Sequence, residues 1–314
     1  KFHFNFNSKV ELIYPIRIFN VFYRVFIEQI LLLIFALIKK PKKIILLGNF
    51  PCLLWRGEQK VLFHNLLYIK ALKKPKSFGI KLFCESKFWE ISIKALKPKI
   101  IVQTKFVEET LKKFFNFDLD IEVLGAPILE NQALFKFSKN NSPEQKVKSY
   151  PHIKIDKNFI HLLYPAALYA HKNHNFLFQC SDIFSKNKMK VHLTIDEKSL
   201  DNLENKETFI FHKNLSKQNL NYLYENINAL IYTSLIESLG MPLLEITQYQ
   251  KSVIAINLPY VSSAIKDFYV FDQNKCSFEN TLNKFKDDFL IEKNKIAKTI
   301  INIDSNKFFE QLID

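Results

Sequence analysis

The strongest constraint on this chain is an alternation. Short apolar runs of strand length are followed repeatedly by stretches of helical periodicity, in two blocks. Such alternation builds parallel sheets covered by helices, because joining parallel strands requires a crossover long enough to hold a helix. In the first block Lys43-Ile-Ile-Leu-Leu47, Val61-Leu-Phe63, Ile100-Ile-Val102 and Ile121-Glu-Val-Leu124 read as strands, with helices over 82–96 and 105–115. Thr104 is the expected N-cap of the second helix, with Glu108 and Glu109 in its first turn. In the second block strands fit 159–164, 189–195, 209–211, 229–232 and 252–256, and helices fit 173–186, 216–226, 242–250, 277–300 and 306–313. Between the blocks, 136–157 loses all periodicity and fills with Ser, Asn, Lys, Pro and Glu. The expected organisation is an N-terminal domain over 1–137, a linker over 138–157 and a C-terminal domain over 158–314. Each domain is expected to be a doubly wound sheet, and such sheets bind ligands beyond the carboxyl ends of their strands.

Composition narrows the partners. The net charge of +14 points to an anionic one. Only three of the 45 basic residues are Arg, which is a poor supply for bidentate base contacts, and no zinc-finger or RRM-type pattern is present. Nucleic acid is therefore not expected. The four cysteines lie far apart and form no C-x-x-C pair, as suits a reducing compartment. Residues 11–40 are the most apolar region, but the longest uncharged run, Gln29 to Ile38, is about half a membrane span. Two readings stand for it: an amphipathic helix packed on a sheet, or a helix lying on an anionic membrane beside Lys39-Lys40-Pro-Lys-Lys43. No small-residue cleavage site follows it, so a signal peptide is not expected. The chain opens at Lys1 without an initiator Met, which leaves the completeness of its N-terminus open.

Three stretches of the second block carry chemistry. Ala229-Leu-Ile-Tyr232 is a buried strand, followed by a loop holding Gly240 and then Pro242, a residue suited to the first turn of a helix. A helix start there offers free N–H groups and a positive dipole end to an anion. Glu237 and Glu245, with seven residues between them, flank that loop. Earlier, Leu162-Leu-Tyr-Pro-Ala-Ala-Leu-Tyr-Ala-His-Lys-Asn-His174 is a strand whose loop ends in Lys172, a point charge suited to a diphosphate. Between them, Phe209-Ile-Phe-His-Lys-Asn-Leu-Ser216 reads as a strand and turn with Ser216 as N-cap. That turn is either a loop beside a nucleobase or an ordinary strand–helix connection.

In order and spacing these three resemble the retaining glycosyltransferases of family 4, which carry an H-K-N loop, a strand with L-S, and P-S-x-x-E-G-x-G-x-P-x-x-E. Ser252-Val-Ile-Ala-Ile-Asn-Leu-Pro259 is similar to that family's P-V-I-A-S-x-x-P. The first block matches more loosely, through Lys60-Val-Leu-Phe-His64-Asn65 and Ile101-Val-Gln-Thr104. The resemblance implies the GT-B fold, in which two doubly wound Rossmann-like domains face each other across a cleft. It implies transfer of a sugar, with retention, from a nucleotide-sugar donor to a surface-glycan or lipid-linked oligosaccharide acceptor. No metal or other cofactor is expected. It would place such a chain in the cytoplasm, peripheral at the inner face of the membrane.

Residue roles follow from the same resemblance. Glu245 would bind the donor's ribose hydroxyls and Glu237 would lie close to the transferred sugar, without acting as a nucleophile. The Ser238, Leu239, Gly240 and Met241 segment would meet sugar or phosphate, and His64 would face the sugar from the other domain. Lys172 would neutralise the leaving diphosphate, with His212 and Lys213 at the donor side. The sequence departs from the family at Ala167, where an Arg is common, and at Ser238, where a Gly is common. Those departures keep a non-catalytic nucleotide-sugar-binding protein in view, and a GT-B epimerase is the enzyme alternative.

Overall fold

The computed structural model describes residues 21–127, 153, 155–197, 204–301 and 304–313. Most of the expected linker at 138–157 and the segment before Val21 lie outside the described residues. Helix α1 (Val21–Lys39) leads into β1 (Lys43–Leu46) and β2 (Glu58–Leu62), then α2 (Leu67–Lys73), α3 (Gly79–Leu96), β3 (Lys99–Val102), α4 (Lys105–Phe114) and β4 (Ile121–Val123). The four strands form a parallel sheet in the order β1-β2-β3-β4. Successive side chains of β3 point to opposite faces, as the pleat requires. Ile100 and Val102 meet Trp89, Ile93 and Leu111 of α3 and α4, while Ile101 meets Phe308 and Leu312 near the chain's end. Leu32 of α1 packs with Leu46 and Val61. The sheet is thus covered on both faces. Thr104 caps α4 as expected, its hydroxyl accepting from the Val107 N–H at 3.3 Å.

The second sheet is built from β5 (Ile160–Tyr164), α5 (His174–Gln179), α6 (Ser181–Lys186), β6 (Met189–Leu193), β7 (Phe209–Phe211), α7 (Lys217–Asn226), β8 (Ala229–Tyr232), α8 (Met241–Glu245), β9 (Ser252–Ile256) and α9 (Pro259–Ser262). A two-residue strand β10 (Ile265–Lys266), β11 (Tyr269–Phe271), α10 (Lys275–Leu290), β12 (Lys298–Thr299) and α11 (Ser305–Ile313) follow; β11 joins the sheet, while β10 and β12 pair with each other, antiparallel. Six strands run parallel in the order β11-β9-β8-β5-β6-β7. Counted within this half, that is the doubly wound order 3-2-1-4-5-6, and its switch point falls between β5 and β8. Strands β5, β8 and β9 are buried throughout, as continuous apolar runs under two helix layers must be.

Three helices differ from expectation. The helix expected over 173–186 is two, broken at Cys180. The helix over 277–300 ends at Leu290, because Asn294 and Lys295 are drawn off to the Ser252 hydroxyl and the Ala297 N–H bonds to the Lys251 carbonyl. The helix over 242–250 is five α-helical residues from Met241 and then a 3-10 turn. Helix α11 lies on the first sheet, where Lys43 and Lys60 donate to its last carbonyls, those of Ile313 and Leu312, at 3.1 and 3.3 Å. Cations at a helix carboxyl end are the favourable arrangement.

Candidate active site

The switch point brings together two loops that are distant in sequence. The loop after β5 is tied down through its backbone: Tyr164 and Thr233 both donate to the Lys172 carbonyl, at 2.6 and 3.1 Å. Ser234 Oγ donates to the His171 carbonyl at 3.3 Å, and the Leu235 N–H donates to the same atom at 2.7 Å. Tyr260 holds the Ser234 carbonyl at 2.6 Å. Burial raises the pKa of all three tyrosines Tyr164, Tyr232 and Tyr260, so they stay hydroxyl donors. Asn173 turns the chain at φ 58°, a left-handed conformation that Asn tolerates, and α5 begins behind it. His174 is buried, its Nε2 on the Ala166 carbonyl at 3.2 Å, and burial drops its pKa to about 4.

With its carbonyl fixed, Lys172 directs its ammonium at Glu237, which follows β8. Lys172 Nζ donates to Glu237 Oε1, and Tyr232 donates to the same oxygen at 3.1 Å. The two charged side chains keep only 19% and 14% of their exposure, so the pair is sheltered yet reachable. Gly240 then reverses the chain at φ 74°, and a Cβ there would lie 2.9 Å from Leu243 Cδ1. The Leu243 N–H closes onto the Gly240 carbonyl at 2.8 Å. Leu239 points into the core at 3% exposure, whereas Met241 is exposed. Because α8 is a single short helix, its macrodipole is weaker than the long helix expected from sequence would give. Glu245 sits at the end of α8, held by Tyr224 Oη at 2.8 Å from α7, and Tyr224 in turn stacks on Tyr249 with ring centres 5.2 Å apart.

The remaining residues expected on the donor side lie at the carboxyl end of β7. Ser216 caps α7 as expected, its hydroxyl accepting from the Asn219 N–H at 3.2 Å. Lys213 pairs with Asp196, which follows β6. His212 is 8% exposed and bonded to His192.

His64 comes from the first half, at the end of β2. Asn49, at φ 70°, accepts from the His64 N–H at 2.8 Å and sets its amide nitrogen 3.3 Å from His64 Nε2. An amide nitrogen only donates, so His64 Nε2 accepts. The surrounding protein holds its pKa below the usual histidine range, although the ring itself is open to solvent. Ser238 joins this residue to the loop after β8: its hydroxyl donates to the His64 carbonyl at 2.7 Å, and its own carbonyl accepts from Thr104 at 3.4 Å. Ile236 of the same loop packs on the first core, and Phe106 packs on both. The structure thus gathers Lys172, Glu237, Ser238 and His64 through direct contacts. Sequence reasoning missed Tyr164, Tyr224, Tyr232, Thr233 and Asn49, which position them. Among the described residues no group of three or more His, Cys, Asp or Glu is arranged to hold a metal ion.

Residues 146–301, just under half of the chain, match the family model of the glycosyl transferases group 1. No curated protein matches the chain by sequence. Among solved structures it is similar to WaaG, a glycosyltransferase involved in lipopolysaccharide biosynthesis, with TM-score 0.64 and 12% identity over 89% of this chain and 78% of that one. It is similar to a glycosyltransferase from Rickettsia africae ESF-5, with TM-score 0.61 and 15% identity over 97% and 83%. It is also similar to TarM, with TM-score 0.53 and 13% identity over 82% of this chain but only 46% of TarM, so the chain spans under half of that protein. At these identities the likeness carries the fold, which is GT-B, with Rossmann-like parallel sheets. Together the family match and the GT-B neighbours support glycosyl transfer.

Proposed function

We propose that this chain is a retaining, metal-independent glycosyltransferase of family 4, moving a sugar from a nucleotide-sugar donor to a surface-glycan or lipid-linked oligosaccharide acceptor. The observation that carries the reading is the Lys172–Glu237 contact at the switch point, where a doubly wound sheet binds phosphorylated ligands. In the reaction the bond from the anomeric carbon to the diphosphate oxygen breaks. A bond to an acceptor hydroxyl oxygen forms on the same face, and the proton of that hydroxyl passes to the departing diphosphate oxygen. Negative charge grows on the leaving diphosphate, and a preorganised cation there is the largest stabilisation a protein can offer. Lys172 supplies it once the donor draws the ammonium from Glu237, and Glu237 is left to orient the sugar. The carboxylate of Glu245, fixed by Tyr224, suits two vicinal ribose hydroxyls. The bond from the Ser238 hydroxyl to the His64 carbonyl supports a place for His64 beside the transferred sugar.

Two solved neighbours, a TarM variant from S. aureus and the pneumococcal O-GlcNAc transferase GtfA, were crystallised with UDP, which supports a nucleoside diphosphate at this site. The involvement of WaaG in lipopolysaccharide biosynthesis supports a surface-glycan acceptor. Peripheral association with the inner face of an anionic membrane is supported by α1. Ile30, Ile34, Leu37 and Ile38 share an exposed face beside Lys39, Lys40 and Lys42. Among the described residues no helix is long and apolar enough to cross a membrane. The decisive experiment is Glu245→Gln, assayed for sugar transfer across donors. Loss of transfer by tenfold or more, about the cost of a charge-assisted hydrogen bond, is expected; transfer near wild type refutes the reading. Donor that binds wild-type protein without being consumed favours the non-catalytic alternative.

A further inference from the structure

Three histidines of the second sheet form a continuous hydrogen-bonded row. His161 on β5, His192 on β6 and His212 just after β7 are 2%, 0% and 8% exposed. His161 Nε2 lies 2.9 Å from the Asp156 carbonyl, His161 Nδ1 lies 2.7 Å from His192 Nε2, and His192 Nδ1 lies 2.8 Å from His212 Nε2. The His192 and His212 planes are parallel within 3° with centres 5.1 Å apart. Parallel rings with nitrogens that close meet edge to edge in a shared plane. The row runs diagonally from the amino end of β5 to the carboxyl end of β7, where donor ligands bind.

The direction of every bond in this row is determined. A carbonyl only accepts, so His161 Nε2 carries the proton. Each neutral imidazole has one N–H, so His161 Nδ1 accepts and His192 Nε2 donates. His192 Nδ1 then accepts, and His212 Nε2 donates. Burial holds all three rings below the usual histidine range, so the neutral count applies. What remains is the His212 Nδ1 lone pair, without a partner among the described residues and not sealed from solvent.

We propose that His212 Nδ1 is a dedicated acceptor for the ring N–H of the donor's nucleobase, and that His161 and His192 are positioning residues that lock the accepting tautomer. The inference rests on the nucleotide-sugar reading above. Within such a donor, the diphosphate is anionic and brings no N–H, and Glu245 is matched to the ribose hydroxyls. The transferred sugar carries hydroxyl donors but is assigned above to Glu237 after β8, so at the carboxyl end of β7 the base is the part left to donate. Uracil, thymine and guanine carry a ring N–H on the pairing edge, whereas cytosine and adenine present a lone pair at that ring nitrogen and meet His212 with repulsion.

Two measurements on the full chain test this. Long-range proton–nitrogen correlation spectra of protein labelled at histidine nitrogens should show His161, His192 and His212 as neutral Nε2–H tautomers. His161→Phe removes the anchor and should release His212 into a tautomer mixture. A proton on His212 Nδ1 in the wild type, or no response to His161→Phe, overturns the row. Calorimetric titration with UDP, dTDP, GDP, CDP and ADP should favour one of the first three by about tenfold or more over the last two. N-methylation of the preferred base at its ring nitrogen should weaken binding similarly in wild type and have little effect in His212→Phe. A preference for CDP or ADP, or an equal methylation penalty in both proteins, overturns the acceptor role. Failure of all five to bind wild type sinks the nucleotide reading and the acceptor role with it, while the spectra still decide the tautomers.

Discussion

Stability should fall sharply in mild acid, because several histidines are buried neutral. His174 and His212 take up protons in the folded chain only near pKa values of about 4, and His192 near about 2, in each case chiefly through burial. In the unfolded chain each titrates near about 6.5. A depressed base works against folding in acid: between the two pKa values the unfolded chain binds protons that the folded chain refuses. No loss is expected above the unfolded value, and the loss grows as pH falls until the folded value is reached. Integrated from about pH 7 to about pH 5, each of the three costs about 2 kcal/mol, or about 6 kcal/mol together. His161 is shifted in the same direction and adds to the loss. The charged groups nearest the row, Asp156 and Lys190 beside His161, act on it in opposite senses, and Lys172 beside His174 lowers that pKa further. Against a total stability of about 5–15 kcal/mol the change is large. Urea denaturation at the two pH values measures it, with His192→Met as the control. That variant is less stable at neutral pH, since it strands His161 and His212, but its pH dependence should shrink by about 2 kcal/mol. Equal stability at the two pH values, or an undiminished slope in His192→Met, refutes the neutral row.

Two further substitutions probe the switch-point loops. Gly240→Ala places a Cβ against Leu243 at a left-handed φ and should destabilise the chain by about 1–2 kcal/mol, with Gly240→Val worse and Gly240→Asn milder, as urea midpoints would show. Lys172→Met leaves the sheltered Glu237 carboxylate with Tyr232 alone and should cost about 2 kcal/mol. The double variant with Glu237→Gln should recover much of that stability while transferring no sugar; an additive double variant would show that the two charges do not interact.

Much of this architecture is legible in the chain because local periodicity reports it directly. Strands at 209–211, 229–232 and 252–256 coincide with their apolar runs, and Thr104 and Ser216 cap helices by chemistry that needs only neighbouring residues. What periodicity cannot report is which strands sit side by side. Lys172 and Glu237 are 65 residues apart, and they meet because β5 and β8 are neighbours in the sheet. The same limit hid the histidine row. His161 and His192 look like isolated histidines in strands and His212 like one at the start of a turn, and only the order β5-β6-β7 aligns them. Tyr224 carries no signal of its own within the helix over 216–226, because its single polar atom reveals itself only once Glu245 is opposite.

Ser238 makes the same point with the opposite sign. Judged by motif, a Ser in place of the family's Gly counts as a loss beside the missing Arg at Ala167. The structure gives the two departures different meanings. Ala167 is exposed and nothing in the structure explains the change there. Ser238 is occupied on both sides: its hydroxyl donates to the His64 carbonyl, and its carbonyl accepts from Thr104. A glycine would keep the second bond and lose the first, because only the hydroxyl reaches the strand end that carries His64. The residue between Glu237 and Leu239 is therefore a clasp between the two halves of the cleft. Its substitution changes how the His64 side is registered against the Lys172–Glu237 pair, leaving the groups that would touch the donor in place.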